Sequence, residues 1–399
     1  MRIKAQPEDF IVEEQIRLPL AHDGKFLLYR VSKRGLNTLD VQEQIAAALH
    51  IGKERIAFPA LKDKEALATQ YASVLAPQVA APLRLNNSHA SGEARFEAER
   101  VGAAARALQP SDLTGNLFTI VVRDLALDQA QAIRPRLQQI GEFGMPNYFD
   151  EQRFGSFAGD AGFVGKKILQ RDAESALRIY LATKMAGDPE RVRVFKEFAH
   201  EQWGNWPALM ERAPKPSNFR SVLTYLKDHP QDYRRALNLI PHRLLALYLS
   251  AYQSWLWNLI AARYITSALS PLGFTSRSIR VAGNDLPVYL NLPESVRLRF
   301  ARTRIPLPNH RAVFSEPELA QAASELLAQE GLTLNDFKAR ILKKAFAAKS
   351  SRALIVEPSQ IEVGDAENDE LARKRWKVTM RYFLPPGSYA TLVVKSIMS

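Results

Sequence analysis

The chain of 399 residues contains no cysteine. Disulfide scaffolds, cysteine-ligated zinc or iron–sulfur centres and cysteine nucleophiles are thereby excluded together. Its seven histidines (His22, His50, His89, His200, His229, His242 and His310) show neither HExxH nor any other paired spacing, so no metal site is expected. Walker A, G-x-G-x-x-G and G-x-S-x-G patterns are also missing, which disfavours nucleoside triphosphate hydrolysis, dinucleotide redox chemistry and serine hydrolysis. The opening residues, Met1 to Lys4 and then Pro7-Glu8-Asp9, contain no apolar run of the secretory type, and a cytoplasmic location is expected. The one long uncharged stretch, Leu244 to Ala262, carries Ser250, Gln253, Ser254 and Asn258; it reads as a buried core helix, and no membrane is expected as partner.

What the chain has in excess is positive charge. Lys and Arg number 54 against 42 Asp and Glu, a formal net charge of +12. Such a surplus suits a polyanionic partner, nucleic acid first. Half of it lies between Arg297 and Arg352, where 11 basic residues face 5 acidic ones, 11 − 5 = +6. That segment is expected to follow a nucleic-acid backbone, with salt-sensitive binding.

The length exceeds what one core usually supports, and two domains are expected. Phe26 to Ser32 and Asn116 to Asp124 read as strands; Asp40 to His50 and Leu127 to Ile140 read as helices, the former capped at Asn37 or Thr38. Ala76 to Pro110 has poor periodicity. From Gly155 to Tyr264 the pattern is mainly helical. Helices are predicted again at Glu316 to Ala328 and Asn335 to Ala347, and strands at Ala353 to Glu357, Trp376 to Phe383 and Tyr389 to Lys395. Mixed α and β at both ends with helix between them suggests an α+β fold whose first and last parts share one sheet around an insertion.

Three segments could carry chemistry. In Lys62-Asp63-Lys64 an aspartate between two lysines could serve as an ionised nucleophile or base, although three such residues alone read more simply as a solvated turn. Met145 to Gly155 gathers Tyr148, Phe149, Phe154, Asn147 and Arg153, residue types that stack on bases, read base edges and hold phosphate. Tyr382 to Thr391 reads as a hairpin around Pro385-Pro386-Gly387, with Tyr389 free to present its ring.

Taken in order, Lys4 to Glu14, Gly35-Leu36-Asn37-Thr38, Lys62-Asp63-Lys64 with Thr69-Gln70, Gly115-Asn116-Leu117-Phe118, Pro146 to Gly155 and Leu384 to Thr391 resemble the TruD family of pseudouridine synthases. The resemblance implies a pseudouridine-synthase-type catalytic domain with a mixed, largely antiparallel sheet, interrupted by a mainly helical insertion (TRUD) domain. The implied limits are 1–156 and 343–399 for the catalytic parts and 157–342 for the insertion, with RNA in the cleft between them. It further implies isomerisation of a uridine in structured RNA, uridine-13 of tRNA being the typical target, by base flipping and without cofactor or metal. Asp63 matches the catalytic aspartate, and Phe10, Asn147 and Tyr389 match positions that contact the nucleoside. Phe149, Arg153, Lys4, Lys62 and Lys64 complete the expected substrate-binding set, any of the three lysines being able to pair with Asp63. A monomer is expected. The competing reading is a non-catalytic RNA-binding protein on the same fold.

Overall fold

The computed structural model describes residues 1–75, 82–87, 94–274 and 276–399. The chain divides into two compact units, one formed by residues 1–144 with 356–398 and the other by 145–355. The limits expected at 156 and 343 therefore lie inside the second unit. Residues 145–156 are held there by Asn258, whose amide pairs with both backbone groups of Phe149 (2.8 Å each), and by Arg352.

The first unit is built on one mixed, mostly antiparallel sheet. Its principal strands are β1 (Phe10–Ile16), β2 (Phe26–Arg34), β3 (Leu67–Leu75), β4 (Arg84–Asn86), β5 (Arg95–Ala104), β6 (Leu113–Leu125), β7 (Ser359–Val363) and β8 (Trp376–Leu384). They lie in the order β7-β8-β6-β1-β3-β2-β5-β4. Only β1 and β3 among these pair in parallel. The first and last parts of the chain meet where β8 joins β6, with Leu384 opposite Asn116. Gly115 allows that approach, because a Cβ there would fall 2.4 Å from the Leu384 carbonyl oxygen.

Local chemistry explains several elements directly. Asn37 and Asp40 form a capping box that starts the helix Thr38–Ala48, and Val41, Ile45 and Ala46 then line its buried face. In β1, Phe10, Val12 and Glu14 alternate inward, placing a carboxylate on the core face. The turn before β1 is set by Arg123. Its guanidinium donates from Nε to both Asp9 oxygens (2.9 Å), from Nη1 to Asp369 (2.9 Å) and from Nη2 to Glu370 (3.0 Å). This buried network ties the N-terminus to β6 and to the segment before β8.

Two sequence expectations fail here. The hairpin expected at 382–391 is a strand, a turn with Gly387 at φ +81°, and the helix Ala390–Met398. β8 already has β6 on one side and β7 on the other, so the β-branched end of the chain cannot return beside it as a hairpin strand. It packs instead as a helix, and Arg136 donates to the Ile397 carbonyl near its end (2.6 Å). Likewise the helix expected over 335–347 is reduced to a 3-10 turn, Leu334–Lys338, that ends at Ala339 in the left-handed region (φ +47°).

The second unit is mainly helical. Its centre is the helix His242–Leu269, much of it buried, against which the helix Pro317–Gln329 packs. No helix among the described residues is long and apolar enough to cross a membrane. Pro241 is the N-cap residue of the long helix His242–Leu269.

Candidate active site

Residues 61–63 run with alternating exposure: Leu61 and Asp63 face outward and Lys62 inward. Lys62 is the anchor. Its backbone N–H donates to Thr38 Oγ1 (2.8 Å), and that hydroxyl donates onward to Gln70 Oε1 (3.1 Å). Its ammonium lies 2.8 Å from Glu14 Oε1 and donates to Asn116 Oδ1 (2.8 Å). Glu14 and Asn116 stand opposite each other in the β1–β6 register, so the sheet presents a ready-made socket. Burial raises the Glu14 pKa above its ordinary value; the Lys62 charge and hydrogen bond and the Tyr71 N–H (2.9 Å) oppose that rise.

With Lys62 turned inward, Asp63 is aimed out, its side chain 43% exposed. Lys4 reaches it across 59 residues of sequence, Nζ to Oδ2 at 3.3 Å. The same ammonium sits 4.4 Å from the centre of the Phe10 ring, so one lysine joins the two motifs. Lys4 has φ +59°, a conformation L side chains adopt at some cost; the Arg2–Arg123 backbone pair on one side and the Asp9 carboxylate bonded to the Gln6 N–H on the other hold it. Of the three lysines that sequence left open, Lys4 pairs with Asp63, Lys62 pairs with Glu14, and Lys64 lies exposed.

Lys33 supports the loop from behind. Its buried ammonium donates to the carbonyl oxygens of Leu36 (2.8 Å) and Asp63 (2.5 Å). Burial pulls its pKa down to about 8, with Lys62 adding to the shift and Asp63 and Asp40 opposing it. A neutral amine keeps two N–H donors, enough for two carbonyls. Between about 8 and the ordinary 10.5 the folded chain holds fewer protons than the unfolded chain, so this group makes stability rise with pH. Lys33→Met is therefore expected to lose ground to the wild type as pH rises through that window. Urea unfolding at several pH values checks this, and a pH-independent difference would mean that Lys33 titrates as it does in the unfolded chain.

Phe10 is buried, edge-on to Phe118 with ring centres 6.1 Å apart. Tyr389 is half-buried between Gly387 and the last helix. The remaining expected residues belong to the second unit. Asn147 accepts from Arg352 at Oδ1 (2.6 Å) and donates from Nδ2 to the Ala353 carbonyl (3.3 Å). Phe149, expected to stack on a base, is buried edge-on against Trp257 (5.7 Å), with the Arg352 guanidinium 4.2 Å and that of Arg153 5.7 Å from its ring centre. Arg153, expected on phosphate, donates to Ser250 and to Ser254 (3.0 Å). Sequence reasoning did not single out Glu14, Asn116 or Lys33. The usable signal for Glu14 was a carboxylate at an inward position of an alternating strand.

The chain matches the family model described as tRNA pseudouridine synthase D (TruD) over residues 1–397. It belongs to the TruD family. Similar TruD proteins include "Probable tRNA pseudouridine synthase D 2" of Methanocaldococcus jannaschii, 31% identical over 99% of this chain and 91% of that one. "tRNA pseudouridine synthase D" of Leptospira interrogans is 26% identical over 99% of this chain and 95% of its own length. Among solved structures, a TruD crystal structure from Methanosarcina mazei has a TM-score of 0.72 at 24% identity, covering 99% of this chain and 93% of that chain, which shows a shared fold. This TruD chain is thus an enzyme of the pseudouridine synthase class.

Proposed function

We propose that this TruD enzyme converts uridine-13 of tRNA to pseudouridine, with Asp63 as the catalytic carboxylate acting on a flipped-out nucleotide. The C1′–N1 bond breaks, the uracil turns, C1′ bonds to C5, and the proton lost from C5 is balanced by one gained at N1; the reaction consumes no cofactor. The observation that carries the reading is the outward Asp63 carboxylate, paired to Lys4 on a loop pinned by Lys62, Lys33 and Thr38. An ionised carboxylate suits attack on C1′, attack on C6 or removal of the ribose 2′ proton alike.

Flipping a uridine costs a few kcal/mol and needs compensating contacts in the pocket. Tyr389 and the Phe10–Lys4 pair supply aromatic and cationic ones in the first unit; the family resemblance adds Asn147, whose amide Arg352 and the Ala353 carbonyl hold within the second unit. Phe149, Arg153, Lys62 and Lys64 complete the substrate-binding set, the first three by fixing the segments that carry Asn147 and Asp63. Tyr389→Ala is expected to lower kcat/KM for tRNA by about 1–3 kcal/mol, the range for loss of one stacked base; wild-type kinetics would assign the ring to packing. Incubation with total bacterial tRNA, followed by mapping of carbodiimide-reactive pseudouridines, tests the whole reading. Pseudouridine at position 13 is the expected product. RNA binding with no new modified site would favour the non-catalytic alternative.

A further inference from the structure

In the second unit, the strands Arg304–Pro306 and Ser351–Ala353 pair antiparallel, with Ile305 opposite Arg352. The chains flanking this pair stay side by side beyond it. The Leu307 N–H donates to the Ser350 carbonyl (2.9 Å). The buried Gln253 donates from Nε2 to the carbonyls of Pro308 (2.7 Å) and Ala348 (3.0 Å), and its Oε1 accepts from the Ala348 N–H (2.9 Å). Asn238 holds the same stretch further along, bonding the Ile341 carbonyl and the Lys343 N–H at 2.8 Å each. Two amide side chains thus satisfy backbone groups of Ile341, Lys343 and Ala348, the first two in a stretch that the sequence pattern assigned to a helix, and hold it without regular secondary structure.

The side chains on this fixed backbone are arranged the wrong way round for a core. Ala345 and Ala347 are buried, while Phe346 between them is 70% exposed; Val313, beyond the other strand, is 79% exposed. Turning the ring inward instead would take its apolar area out of water. Exposed cations lie on and beside the same segments. Lys338, Lys343, Lys344, Lys349 and Arg311 are exposed; the His310 pKa is held below its ordinary value by desolvation first and then by the charges of Lys349, Arg311 and Lys338. Other basic residues of the region are engaged within the unit: Arg297 with Glu294, Arg304 with Ser351, and Arg352 with Asn147. An aromatic face among unneutralised cations is the chemistry that binds an unpaired nucleotide, the ring taking the base and the cations the phosphates.

We propose that segments 307–313 and 343–350 form an additional RNA-binding surface, on which Phe346 stacks an unpaired base while Arg311, Lys338 and Lys349 hold flanking phosphates. The proposal rests on the reading of this chain as a tRNA-modifying enzyme and adds an RNA contact within the second unit. An unmodified tRNA transcript and the full-length protein test it by equilibrium binding at several salt concentrations. Phe346→Ala is expected to raise Kd about fivefold to a hundredfold, and Phe346→Trp to keep it within about twofold of the wild type. The double variant Arg311→Gln/Lys349→Gln should reduce the slope of log Kd against log salt by about 1.4, two single-strand phosphate contacts. Wild-type affinity in Phe346→Ala overturns the proposal, as does an unchanged salt slope in the double variant. Because Phe346 is exposed, its variants should melt with the wild type. If the wild-type protein bound tRNA but made no pseudouridine, the catalytic reading would fail while these affinities still judged the surface.

Discussion

Asp63→Asn is expected to abolish pseudouridine formation, lowering the rate at least about a thousandfold, the scale on which loss of a nucleophile or base falls. The substitution keeps the side chain's shape and removes its charge. Because the Asp63 side chain is 43% exposed, its ion pair with Lys4 at 3.3 Å is a surface one, worth about 1 kcal/mol or less to the fold. The loop itself is held through other atoms, the Asp63 carbonyl by Lys33 and the Lys62 N–H by Thr38. Affinity for tRNA should stay within about threefold, since a carboxylate contributes little to attraction of a polyanion. Tritium release from 5-tritiated uridine in tRNA measures the rate, and filter binding measures the affinity. Substantial turnover by the variant would remove Asp63 from the mechanism.

The second large effect is expected at Lys62→Met, and it differs in kind. Lys62 and Glu14 are both buried, 2.8 Å apart. Removing the lysine leaves the Glu14 carboxylate without its main compensation, and breaking such a pair typically costs about 3–5 kcal/mol. The loop also loses the anchor that turns Asp63 outward, so activity and stability should fall together. The pH dependence separates this account from generic damage. Glu14 already has a raised pKa in the folded protein, burial being the largest cause. Without Lys62 that pKa rises further, and the folded variant then holds more protons than the unfolded chain above the ordinary value of 4.5. The variant's stability is thus greatest in acid and is lost as pH rises through the folded pKa. Chemical unfolding across the range from pH 5 to pH 8 should show the gap from the wild type widening. Adding Glu14→Gln to Lys62→Met should flatten that widening, and a gap that ignores pH would dissociate Glu14 from the effect.

Much of this molecule's local structure is legible before folding. The Asn37–Asp40 capping box, the inward alternation of Phe10, Val12 and Glu14, and the long uncharged helix around Leu249 follow from signals confined to a few neighbouring residues. So does the positive φ at Gly387, in a Pro-Pro-Gly turn. The dispersed motifs that carry the TruD resemblance are legible for a related reason: each requires particular side chains at fixed short spacings. Family membership and the candidate Asp63 were therefore within reach of the sequence alone.

What only the tertiary structure decided is which distant groups meet. Lys4 and Asp63 are 59 residues apart and Arg123 and Asp369 are 246 apart, separations at which no periodicity or propensity carries information. Strand register settles them: setting Glu14 opposite Asn116 creates the socket for Lys62, and Lys62 in that socket leaves Asp63 facing out. The same physics overrode local preference twice. The β-branched C-terminal residues became a helix because both sides of β8 were already paired, and the helix-patterned stretch before Phe346 lost its helix as Asn238 took the backbone groups of Ile341 and Lys343. Hydrogen-bond partners supplied from elsewhere in the fold outweigh propensities of about 1 kcal/mol or less per residue.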